Sequence, residues 1–143
     1  EINKGANKIV HFNPSLPYMY IPISDFTQFT KDIADSTIYP NNVPFVDSTS
    51  KTVYWTTTCD EVRKNMNDYS LSIRLTDDTT TSDPTHYYDI TLVKERMAID
   101  GKYFGYPTRC YMPVFADWDH PDNKDQYYLG SHTMYEEYVV YKQ

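Results

Sequence analysis

Residues 68–75, DYSLSIRL, set Tyr69, Leu71, Ile73 and Leu75 against Asp68, Ser70, Ser72 and Arg74 in strict alternation. A period of two belongs to a strand with one face buried and one in water, and it is incompatible with a helix. After the polar run TDDTTTSDPT, the segment HYYDITLVK at 86–94 alternates again. Tyr88, Ile90 and Leu92 share one face and Asp89 and Thr91 the other. The second strand is expected to run on to Ile99, where Asp100 and Gly101 would supply the two positive-φ positions of a type I′ turn before KYFGY. These segments together read as an antiparallel meander.

Further strand patterns lie at 8–12, 18–23, 52–57, 109–115 and 134–142. Prolines 17, 22, 107 and 113 argue that several of these are edge strands, since proline cannot donate to a ladder. Two short helical patterns sit between them. SDFTQFTKDIAD at 24–35 places Phe26, Phe29 and Ile33 on one face behind the capping candidates Ser24 and Asp25. TCDEVRKNM at 58–66 puts Thr58 three residues before Glu61, a capping box, with Val62 and Met66 on one face. Neither is long enough to cross over between parallel strands. The expected class is therefore mostly β, an antiparallel β-sandwich or barrel with one or two short peripheral helices. A chain of 143 residues buries about two thirds of its unfolded surface, so residues 1–143 are expected to form a single β-rich domain.

Charge and hydropathy narrow the function. The chain carries 13 Lys and Arg against 20 Asp and Glu, a formal net charge of −7, with a pI near 4.9. That field is opposite to the one a phosphate backbone or an anionic membrane selects, so nucleic acid is not expected as a partner. No apolar run is long enough for a spanning helix, and the first residues, EINKGANK, lack the apolar core of a signal peptide. No membrane insertion is expected, and an exported protein would be represented here by its mature form.

The polar stretch DWDHPDNKD at 117–125 packs acidic and amide side chains around Trp118 and His120. As an EF-hand loop starting at Asp117 it fails, because Asp122 stands where glycine is demanded and Tyr128 where a bidentate Glu is needed. An irregular calcium site from Asp117, Asp119, Asp122 and Asp125 stays open beside an Asx-turn reading that needs no metal. No metal or cofactor is assigned. Cys59, at a helix start, could be an activated thiol, but Asp60 and Glu61 oppose that activation. The preferred reading pairs Cys59 with Cys110 in a disulfide, which implies an oxidising compartment.

Histidines 11, 86, 120 and 132 show no zinc spacing, and the chain has no G-x-S-x-G elbow, phosphate loop or H-E-x-x-H. Ser131 and His132 are neighbours, and on an extended strand they would point to opposite faces. No catalytic residue is assigned, and the chain is read as a non-enzyme.

Aromatic residues are the remaining concentration. Fifteen tyrosines and 16% aromatics exceed what strand preference alone asks for, and Tyr provides contact area at low entropic cost. The expected binding residues are Tyr103, Tyr106, Tyr111, Trp118, His120, Tyr127 and Tyr128, with outward tyrosines gathered on one side of the molecule. The leading functional expectation is a secreted, cell-surface or virion domain that recognises a host protein or a glycan. A β-barrel carrier of a small apolar ligand and a capsid-type structural subunit are the alternatives. The oligomeric state is left open.

Overall fold

The computed structural model describes residues 8–34, 44–65, 70–76 and 87–134. In chain order it contains β1 (Ile9–Phe12), β2 (Met19–Ile21), α1 (Ile23–Ala34), β3 (Phe45–Asp47), β4 (Thr52–Trp55) and α2 (Cys59–Asn65). There follow β5 (Ser70–Thr76), β6 (Tyr87–Val93), β7 (Ile99–Asp100), β8 (Cys110–Tyr111), β9 (Val114–Ala116) and β10 (Gln126–Leu129). Short 3₁₀ helices occupy Lys94–Arg96, Gly101–Phe104 and Ser131–Met134. The strand expected at 134–142 falls outside the described residues except for Met134, which ends a 3₁₀ helix.

The strands form three sheets, ordered β1-β10-β2-β9, β3-β4-β8-β7 and β5-β6. The chain is mostly β with two short helices, as its alternation requires. None of the sheets closes on itself, so the barrel form of the expectation is not what the chain adopts. The pairing is also not wholly antiparallel: β1 lies parallel to β10 and β2 parallel to β9. In both cases the partners are far apart in sequence, and the intervening chain provides the crossover that parallel neighbours need.

Alternation assigns each strand of the first sheet an inner and an outer face. Met19, Ile21, Val114, Ala116 and Leu129 are buried, and Val10, Phe12 and Tyr127 pack beside them. In the second sheet Val53, Trp55, Cys110 and Met112 are buried against the same core. Helix α1 begins directly after the buried Pro22, whose carbonyl accepts from the Phe26 amide. It seals the core with the expected stripe of Phe26, Phe29 and Ile33, each 4–5% exposed. The β5-β6 hairpin contributes Ile90 and Leu92, with Leu71, Ile73 and Leu75 packed on the core from the paired strand.

Two local expectations are corrected. Asp100-Gly101 is not a type I′ turn, because Asp100 has φ −56° and its carboxylate accepts from the Lys102 amide, capping the 3₁₀ helix that follows. Gly101 is required instead by close approach: a Cβ there would lie 2.1 Å from the Tyr106 carbonyl oxygen. The left-handed position belongs to Gly105, φ +81°, at that helix's C-cap. The strand after residue 86 stops at Val93, broken by a 3₁₀ turn before β7.

The edge expectation holds for β9, which follows Pro113 and closes one side of the first sheet, and fails for β2. Pro17 and Pro22 flank β2, which is interior to its sheet. Pro113 splits the strand expected at 109–115 into β8 and β9. Met112 still donates to Val53 of the second sheet, and the Pro113 carbonyl already accepts from Met19 of the first. The residue that cannot donate is thus the point at which the chain changes sheets.

Candidate recognition face

Residues opposite one another in a sheet project to the same side. Across the first sheet the register brings His11, Tyr128, Tyr20 and Phe115 into one row, spanning all four strands. Their strand neighbours point into the core, so this row lies on the outer face. His11 stacks on Tyr128 with centroids 5.1 Å apart, and Tyr20 on Phe115 at 5.7 Å. Across the second sheet Phe45, Tyr54 and Tyr111 align likewise, with centroids 6.0 and 5.3 Å apart.

Phe104 and Tyr18 join the two rows. Phe104 lies 4.5 Å from Tyr111 and 6.2 Å from Phe115, and Tyr18 lies 5.7 Å from Phe104 and 5.4 Å from Phe115. The result is one aromatic belt crossing both sheets. Phe45 is 61% exposed at one end, His11 is exposed at the other, and most members between are half-buried. Burial raises the phenols of Tyr18 and Tyr20 above their ordinary pKa, so both stay neutral hydrogen-bonding groups near neutral pH.

Arg109 is the cation of this face. Its guanidinium carbon lies 4.3 Å from the Tyr54 ring centroid and 4.0 Å from that of Tyr106, while Nη1 donates to the Tyr111 hydroxyl at 3.1 Å. The hydrogen bond to Tyr111 holds the guanidinium firmly charged. Lys102 stands over the ring of Tyr103, which is 71% exposed.

The seven expected binding residues divide. Tyr103 and Tyr106 are exposed beside Arg109 and Lys102, and Tyr111 is buried as the floor beneath them. Tyr128 belongs to the belt. Tyr127, its neighbour, faces the other way, packs on the core and donates through its hydroxyl to Asp25 at 2.8 Å. Trp118 is half-buried against the core with Lys51 5.4 Å from its ring centroid, and its Nε1 meets no acceptor among the described residues. His120 is exposed in the acidic loop.

That loop is organised by Asp117, which is 8% exposed. Its carboxylate accepts from His120 Nδ1 at 3.0 Å and from Asn123 Nδ2 at 2.9 Å, and Asn123 also bonds both the amide and the carbonyl of Gln126. The hydrogen bond that His120 donates to Asp117, followed by the charges of Asp117 and Asp119, raises the His120 pKa. Here one aspartate closes a turn through side chains. Among the described residues no three His, Cys, Asp or Glu side chains gather as a metal would require.

Cys59 and Cys110 are joined, with Cα atoms 4.9 Å apart, so neither is a free nucleophile. The Ser131 hydroxyl donates to the Leu16 carbonyl and His132 Nε2 to that of Arg96, which commits both to neighbouring backbone. No described helix is long and apolar enough to cross a membrane.

The belt members Tyr18, Tyr20, Phe45 and Tyr54, and the cation Arg109, were not among the expected site residues. Each sits on a short strand or beside one, and only the pairing of distant strands brings them together.

No family model matches the chain, and no curated protein matches it. Among solved structures it is similar to the crystal structure of basic 7S globulin from soybean, with a TM-score of 0.54 and 14% sequence identity. The match covers 87% of this chain and 28% of that one, so the chain spans little more than a quarter of that protein's length. At this identity the likeness concerns the fold alone.

Proposed function

We propose that the chain is a non-catalytic extracellular recognition domain that binds a protein or glycan partner through the aromatic belt. The observation that carries this reading is the outer face itself, on which rings from seven strands, joined by Phe104 and Tyr18, line up across two sheets with solvent access along most of their length. Half-buried tyrosines offer large, rigid contact area with polar tips, the chemistry enriched at binding hot spots and sugar-stacking platforms. The Cys59–Cys110 disulfide suits an oxidising compartment and supports the extracellular placement.

The test pairs a glycan array with capture of cell-surface protein, using the wild-type chain, a Tyr103→Ala/Tyr106→Ala double variant and Tyr128→Ser. Retained ligands should bind the face variants at least about tenfold more weakly, as expected for truncating hot-spot tyrosines. Ligands that bind all three proteins equally would remove the belt as the recognition surface.

A further inference from the structure

Beside the disulfide, where β8 approaches the first turn of α2 and the 3₁₀ helix Gly101–Phe104, lies a cleft of about 390 Å³. Its wall carries Arg63, Lys102 and Arg109 in a chain whose net charge is −7. Two carboxylates, Asp60 and Asp100, line it too. Both are engaged locally: Asp60 accepts from Arg63 at 3.5 Å, and Asp100 caps the Lys102 amide at 2.9 Å. Neither Lys102 Nζ nor the Arg109 guanidinium has a carboxylate within ion-pair distance among the described residues.

Arg109 is preorganised for a ligand. The rings of Tyr54 and Tyr106 hold its guanidinium, Tyr111 takes one N–H, and the other donors meet no partner among the described residues. Tyr103 forms part of the same cleft and is 71% exposed, with Tyr106 next to it at 50%.

We propose that this cleft binds an acidic sugar, its carboxylate held by Arg109 and Lys102 and its ring stacked on Tyr103. The inference rests on the recognition function above and names the ligand class for one end of the face. The lining sets three cations against two carboxylates, and Asp47 also lies near enough to feel the Arg109 charge, so the cleft offers at most one unit of positive charge, which suits a monoanion and disfavours a phosphomonoester dianion. The volume lies at the small end of the range for ligand sites, about 300–1,000 Å³, and suits one or two sugar rings better than an extended peptide. A guanidinium meets a carboxylate with two parallel hydrogen bonds, and the exposed phenol ring offers a flat platform for the sugar's C–H face.

The experiment is an NMR chemical-shift titration of the whole chain with glucuronate, with glucose as the neutral control and glucose 6-phosphate as the dianion. Glucuronate should bind saturably and at least about tenfold more tightly than glucose, the ratio expected of a charge-assisted pair. It should also bind more tightly than glucose 6-phosphate. Arg109→Gln and Lys102→Ala should each bring glucuronate towards the glucose level. Lys102 is exposed, so its variant reports even if Arg109→Gln fails to fold. Absence of saturable glucuronate binding, equal binding of glucose, tighter binding of the phosphate, or indifference to Lys102→Ala would each overturn the assignment. Loss of glucuronate binding alone leaves array or protein ligands that depend on Tyr103, Tyr106 and Tyr128, so failure here is distinguishable from failure of the belt.

Discussion

Tyr127 and Tyr128 are adjacent and do opposite things. On β10 the strand period turns Tyr127 towards the core, where its hydroxyl meets Asp25, and turns Tyr128 outward onto His11. Tyr127→Phe should therefore destabilise the fold by about 1.5 kcal/mol, the usual loss for a hydrogen bond to a charged group, while leaving ligand binding unchanged. Urea unfolding and the array readout separate the two effects, and a Tyr127→Phe chain that folds as wild type but no longer binds would contradict this division. His120 supports a pH prediction. Asp117 raises the imidazole's pKa in the folded chain, so the folded state holds that proton more tightly than the unfolded one. The stabilisation is complete below the ordinary histidine value and is lost as pH rises through the higher folded value. The difference in melting temperature between wild type and His120→Gln should shrink from about pH 6 to 8.5. A constant difference across that window would mean that the ion pair contributes nothing. At this level the sequence was legible in part. Tyr103 and Tyr106 lie beside glycines and proline in a polar segment, where an outward ring is the expected outcome. Arg109, one basic residue before a cysteine, carried no signal until Tyr54 from the distant strand β4 met it beside its near neighbours Tyr106 and Tyr111.

The pairings between elements decide which residues become a surface. Alternation in β5 and β6 could be read directly because the register of a hairpin follows from local chain, and Leu71–Leu92 and Ile73–Ile90 are opposed as a simple hairpin would oppose them. The row His11–Tyr128–Tyr20–Phe115 could not be read, since it depends on β1 and β9 finding β10 and β2 across most of the chain. Parallel partners leave no turn signature in sequence. Proline misled for a related reason: it excludes a residue from a ladder but does not say whether the strand ends, lies at an edge or changes sheet. Helix α2 shows how little a seven-residue element can do alone. Its side-chain cap, the Glu61 amide to Thr58 Oγ1, is long at 3.4 Å, and the disulfide ties its first residue to β8. For a sequence separation of 51 residues, the chain-entropy view puts the bridge at about 4 kcal/mol. A Cys59→Ala/Cys110→Ala variant should unfold at markedly lower urea with the loss falling near that size, and glucuronate affinity should fall with it, because Cys59 and Arg109 line one cleft. Unchanged denaturation midpoints would show that α2 holds its place without the bridge.

Two opposing tendencies govern the molecule as a body. A formal charge of −7 spreads repulsion over the surface, and a pI near 4.9 sets where that repulsion vanishes. Exposed aromatic rings act against it, since Phe45, 61% exposed at one end of the belt, and Tyr103, 71% exposed beside the cleft, are large apolar groups in water. Near neutral pH the charge should keep copies apart and leave the belt free for a ligand. As the pH falls towards 4.9 the belt should begin to pair with itself, and the sedimentation coefficient should rise with protein concentration. Replacing the two most exposed rings, Phe45→Ser with Tyr103→Ser, leaves the charge untouched and should suppress that rise, whereas serine replacements at the exposed Tyr87 and Tyr88 of the β5-β6 hairpin should not. If both double variants associate as wild type does, charge neutralisation alone drives the process and the belt is not adhesive. If the belt variant alone stays monomeric, the face that binds ligand at neutral pH is the one that the acidic net charge protects from self-association.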